Sequence, residues 1–198
     1  MSGIMNLPSV VGLVLFSIIG GGLVTAVGYY TPFIIVSSVI TAIGAGMLTT
    51  LKVSSGTGEW LGYQILLSFG AGLGVQNVLL VAQVAVPKVD MAMATSLLSF
   101  CQMLSGAIFL AVGQSVFQNQ LVQNVREQAP TVDPAFIVQI GAGMLRENLS
   151  KDVMPAVLRA YNAAITQTFY VGVAMAALAV VGSVFIEWKS IKEEEKAD

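Results

Sequence analysis

The side chains best placed to do chemistry in this sequence are amides. Gln76, Asn77 and Gln83 lie in a run from Trp60 to Pro87 that carries no charged residue. Seven positions separate Gln76 from Gln83, so on a helix the two share a face, and Asn77 widens the strip. Gln102 follows in a later apolar run, with Ser99, Gly106 and Gly113 at helical spacing around it. Amides neither titrate near neutral pH nor act as nucleophiles, so the chemistry open to them is recognition by donated and accepted hydrogen bonds. Two readings stand side by side. The amides line a substrate cavity, or they join helices to one another, an interaction worth about 0.6–2 kcal/mol in a bilayer. Phe100, Phe109 and Phe117 would either wall a site for flat apolar molecules or contact lipid and neighbouring helices.

What is missing narrows the field further. The chain has no histidine and one cysteine, which leaves no histidine-centred catalytic site, zinc cluster or intrachain disulfide. Serine, threonine and tyrosine occur without a histidine or an embedded acid to activate them, so neither an enzyme, a metal nor a cofactor is expected. Cys101 reads as a small, buried apolar residue. A net charge of -2 argues against a nucleic-acid partner.

The elements that must position these residues are membrane helices. Hydrophobic residues make up 56% of the chain and charged ones only 10%, with a mean hydropathy of +0.81. Nothing from Met1 to Leu51 is charged. About 20 apolar helical residues cross a bilayer core, and the apolar runs place spans at about 7–27, 32–51, 60–87, 91–117 and 166–186. Met1 to Asn6 has no base, so no secretory signal is expected. Gly28-Tyr29-Tyr30-Thr31-Pro32 forms the first turn, where glycine permits a positive φ and proline starts the next helix. The fold class is therefore all-α: a polytopic membrane helix bundle of five spans in one membrane domain covering 1–198. Residues 126–164 form a long loop in which Asp133-Pro134 opens a short helix. Phe136, Ile140, Met144 and Leu145 then supply an apolar side expected to lie on the membrane surface. Asn148-Leu149-Ser150 is an N-x-S/T sequon, open to glycosylation at Asn148 if it faces the lumen or exterior. Residues 189–198 read as a solvated tail.

The run Gly21-Gly22-Leu23-Val24-Thr25-Ala26-Val27-Gly28-Tyr29-Tyr30 resembles the degenerate G-x-L-x-x-x-x-G loop motif of the major facilitator superfamily, with Gly21, Leu23 and Gly28 at the motif positions. Where the family motif carries an acid and several bases, this chain has Thr25, Ala26, Tyr29 and Tyr30. Ala160-Tyr161-Asn162 ahead of the last span, and Glu187-Trp188-Lys189-Ser190 after it, resemble the end of fungal fourteen-helix drug:proton antiporters, the branch that includes toxin efflux pumps. The resemblance implies part of a carboxy-terminal half of a multidrug or toxin efflux carrier, inactive alone, with a small apolar or amphipathic substrate. It further implies a plasma or vacuolar membrane, a cytoplasmic tail and the long loop outside; helix-helix association with another carrier chain belongs to the alternative of a structural or interaction role. No span contains Asp, Glu or His away from its ends, so any proton-coupling carboxylate lies in the rest of such a carrier. The alternatives are a truncated membrane protein with a structural or interaction role and an inactive gene fragment.

Overall fold

A computed structural model describes residues 2–84 and 86–186, and the side chains within them apart from those of 2–5, 82–84, 146 and 147. Among the described residues, five helices are long and apolar enough to cross a membrane: α1 Ser2–Val27, α2 Thr31–Leu48, α3 Thr57–Val84, α4 Met91–Gln128 and α7 Met154–Val184. Between the last two lie α5 Pro134–Ile140, a 3₁₀ turn at Ala142–Met144 and α6 Leu145–Asn148. The chain is an all-α, multi-pass membrane protein. The tail at 189–198 and the Glu187–Ser190 motif fall outside the described residues.

The bundle is built around α3, which packs on α1 along one side and on α2 along the other; α7 joins α2, and α4 joins α7. Gly70 and Gly72 make the first two contacts close. A Cβ at Gly70 would stand 2.5 Å from the Thr41 backbone nitrogen, and one at Gly72 would stand 2.8 Å from the Leu13 carbonyl oxygen. Lipid offers no hydrophobic drive to bring helices together, and such small residues allow the close backbone approach from which dispersion gains. Polar and aromatic pairs mark three of these seams. The Ser9 hydroxyl donates to Gln64 Oε1 at 2.8 Å and Phe16 meets Phe69 edge-on, joining α1 to α3. The Ser38 and Ser183 hydroxyls lie 3.2 Å apart between α2 and α7. Asn124 Nδ2 donates to Gln167 Oε1 at 2.8 Å between α4 and α7. Contact between α3 and α4 is slight, and no residue of α4 from 91 to 112 is buried. A Cβ at Gly106 would meet nothing within 4 Å, and the same holds for Gly172 on α7.

Two helices run past their expected ends. At 38 residues, α4 is about 57 Å long, well beyond a hydrocarbon core of about 30 Å. Gln118 to Asn124 read as emergence into water, but the helix persists to Gln128 because Leu121 and Val125 are buried. Likewise α7 starts at Met154 with Pro155 in its first turn, and Val157, Ala160 and Ala164 are buried. These two extensions close a small core with Ala129, Ile137 and Leu145 from the loop. Of the residues expected on the loop's membrane-facing side, Leu145 is instead buried in this core. Ile137 and Leu145 point into the bundle extension, while Phe136 and Met144 are exposed. The reason is Gly141: at φ 65° it ends α5, so Met144 and Leu145 belong to later elements and do not continue the Phe136–Ile140 face.

Candidate functional site

A recess of about 570 Å³ lies between α2, α3, α4 and α7. Four short hydroxyls approach it from two helices: Ser37, Ser38 and Thr41 on α2, and Ser183 on α7. Each donates its proton to a carbonyl of its own helix, three or four residues back. That back-bonding leaves the oxygen lone pairs as acceptors. Gln102 and Ser105 on α4 stand across the cavity, with Cys101 immediately before Gln102 in sequence. Cys101 is exposed there, contrary to the buried position expected of it. Glycines 70 and 74 floor the α3 side. Cys101 apart, the described lining holds no titratable side chain. The hydroxyl oxygens can accept hydrogen bonds from a neutral ligand with an apolar body, and Gln102 can both donate and accept.

The amides singled out by spacing do not share one site. Gln102 lines the central cavity. Gln76 lines a separate recess of about 330 Å³ against α1, beside Ser17, Gly21 and Thr25. Asn77 lines neither; it is fully buried, and both polar atoms of its amide lack a hydrogen-bond partner within the protein. The Gln83 side chain lies outside the described residues. A shared helix face set the expectation for these side chains, but the crossing of α1, α2 and α4 over α3 decides which part of that face is covered. Phe100 and Phe109 are exposed on α4, outside the lining of the central cavity. Phe117 packs at 5.6 Å against Tyr161. The hydroxyls at 37, 38 and 41 were not anticipated. Their signal was a polar i, i+4 pair, Ser37 and Thr41, inside an otherwise apolar span.

In the loop motif, Gly28 has φ 86° and its N–H donates to the Val24 carbonyl at 2.7 Å, ending α1 as a left-handed cap. Gly21 lies against Gln76, whose Cγ would be 3.2 Å from a Cβ there. Leu23 is 45% exposed. Asn148 ends α6, is exposed, and donates from Nδ2 to the Met144 carbonyl at 3.0 Å, after which Leu149 is extended.

The chain is similar to three fungal proteins, among others. It is 52% identical over 191 residues to the MFS-type transporter astH of Aspergillus oryzae, which covers 96% of this chain and 34% of that protein. It is 50% identical over 192 residues to the efflux pump roqT of Penicillium rubens, covering 97% of this chain and 36% of that protein. It is 48% identical over 191 residues to the MFS-type efflux pump MFS1 of Arthroderma benhamiae, covering 96% and 36%. The chain thus spans about a third of the length of the curated relatives it matches. No family model matches the chain, and no solved structure matches it.

Proposed function

Because the chain belongs to the major facilitator superfamily along the third of a transporter that it spans, we propose that it forms the carboxy-terminal part of a multidrug or toxin efflux carrier. The observation that carries this reading is similarity along nearly the whole chain to transporters and efflux pumps. In this reading the chain is not an enzyme, and its substrate is a small apolar or amphipathic molecule. Each half of such a carrier is built from two inverted three-helix repeats, and the substrate site lies between repeats near the midplane. Five spans are one short of a half, and the bare face of α4 from 91 to 112 supports a sixth helix and the opposite half covering it. That covering comes from the rest of the same carrier or from another carrier chain. The central cavity then forms one wall of the substrate site, in which Gln102 supplies both a donor and an acceptor and the α2 hydroxyls supply acceptors. The coupling carboxylate belongs to the remaining part of the carrier, the membrane is plasma or vacuolar, the tail is cytoplasmic, and Asn148 faces outward.

The test is made in the complete carrier, by efflux of an amphipathic dye from cells. Gln102→Ala is expected to raise the KM for efflux severalfold with protein abundance unchanged, since one hydrogen bond is worth about 0.5–1.5 kcal/mol. An unchanged KM would remove Gln102 from the substrate wall. Dye efflux that survives deletion of the whole region would sink the broader reading.

A further inference from the structure

We propose that the end of the bundle bearing the long loop holds a binding site for an anionic amphiphile, in the recess between the α2–α3 loop and the start of α7. The recess encloses about 1240 Å³ and shares no lining residue with the central cavity. Three cationic side chains line it: Lys52 from the α2–α3 loop, Lys151 from the turn before α7, and Arg159 from the second turn of α7. No acidic residue is among the described lining residues, so the three like charges face one space without a carboxylate. Concave, low-dielectric walls carrying one sign of charge concentrate the opposite ion. The same lining holds apolar side chains, Leu51, Leu149, Met154, Pro155 and Leu158 among them, together with uncharged polar ones such as Thr49 and Gln128. The two walls are held together, since Asn162 Nδ2 of α7 donates to the Leu51 carbonyl at 3.0 Å. That bond is why the recess is a property of the fold and does not depend on how the loop happens to lie.

Depth argues for the same occupant. The recess begins where α2 ends at Leu48 and takes in α7 only as far as Thr166, below which α7 is almost entirely apolar. Bases together with apolar side chains at the end of a span match the level at which anionic heads sit over their tails. A phosphate or carboxylate meets Lys52, Lys151 and Arg159, the guanidinium offering a planar fork, and one or more alkyl chains lie against the apolar side chains. This chemistry has two sources, an anionic phospholipid of the surrounding leaflet or a single-chain anionic amphiphile from solution. The inference is independent of the carrier's substrate and of its transport activity.

The experiment uses the 198-residue chain in neutral detergent, with bound phosphatidylglycerol and phosphatidylcholine measured by native mass spectrometry. The parent chain is expected to retain phosphatidylglycerol about tenfold or more over phosphatidylcholine, a preference the attraction of three bases near a membrane surface readily supplies. Combined Lys52→Gln, Lys151→Gln and Arg159→Gln should abolish the preference. Arg126→Gln, at the same end but outside the recess, should keep it. Titration with dodecyl phosphate separates the sources: displacement of phosphatidylglycerol shows that one chain suffices, and failure to displace shows a site for a two-chain lipid. Equal retention of the two lipids by the parent chain, or undiminished preference in the triple variant, overturns the proposal. If the triple variant loses helicity, Lys151→Gln alone, at an exposed turn, must weaken the preference; an unaffected preference there overturns it equally.

Discussion

Gly28 and Asn77 show two opposite ways in which a single residue is tied to its surroundings. The φ of 86° at Gly28 lies where a Cβ is strained, and the residue is buried at the turn from α1 to α2. Gly28→Ala is expected to cost about 1 kcal/mol or more, read as a lower thermal midpoint in detergent; an unchanged midpoint would show that the turn rearranges freely. Asn77 is the reverse case. Its amide is fully buried with neither polar atom partnered, and a buried unmet donor or acceptor costs about 1–3 kcal/mol. Asn77→Leu, with the same branching but larger and apolar, and Asn77→Ala, which cannot overpack, remove the unmet groups, and the better of the two should raise the midpoint, while Asn77→Asp should lower it sharply by burying a charge. A drop in both apolar variants would mean that the amide binds a water or ligand whose loss outweighs the gain.

At the scale of elements, α5 rests on its cap and on one side chain. Asp133 Oδ1 accepts from the Ala135 N–H at 3.0 Å, with Pro134 following at the first helical position. Removing the cap by Asp133→Ala should cost about 1 kcal/mol. Ile137→Ala should cost more, about 2–5 kcal/mol, because Ile137 is 0% exposed in the core formed with α4 and α7. Proteolysis of the 129–153 segment measures both, and the order of susceptibility should be Ile137→Ala above Asp133→Ala above the parent. The five spans and the cap of α5 were legible in the sequence, since bilayer length and Asp-Pro capping are local signals. The overrun of α4 and α7 was not. It depends on Leu121, Val125, Val157 and Ala160 meeting one another and Ile137 across the chain, which no window of sequence displays. The lining of the central cavity was legible in part: Gln102 stood out as a long amide in an apolar run, whereas Ser37, Ser38 and Thr41 look like ordinary small residues until α7 and α4 are placed opposite them.

The whole molecule is lopsided, and the asymmetry predicts what it does alone. One side is finished: α3 lies between α1 and α2, with close glycine contacts and a fully buried Leu73, Asn77 and Val24 among them. The other side is open, for α4 presents Met93, Leu97, Phe100, Met103 and Leu110 with 60% or more of each exposed. In lipid that exposure costs little, because acyl chains solvate an apolar helix as well as another helix does, so the chain can insert and hold its fold without a partner. Transport is a different demand. Alternating access needs one repeat to rock against another around a fixed site, and a driving ion needs a titratable group exposed to each side in turn. The central cavity has no carboxylate in its described lining, and in the proposed carrier it supplies only one wall of the substrate site. Reconstituted alone into vesicles, the chain should therefore insert as a helical protein by circular dichroism yet move no amphipathic dye against an imposed proton gradient. Supplying the remaining part of a related carrier as a second polypeptide should restore movement if the open face of α4 is where the missing helices seat. Introducing charge on that face, as Leu97→Glu, should block the restoration while leaving insertion of the five spans intact. Gradient-driven dye movement by the 198-residue chain in the absence of any second polypeptide would contradict both the division of labour and the placement of the coupling group outside this chain.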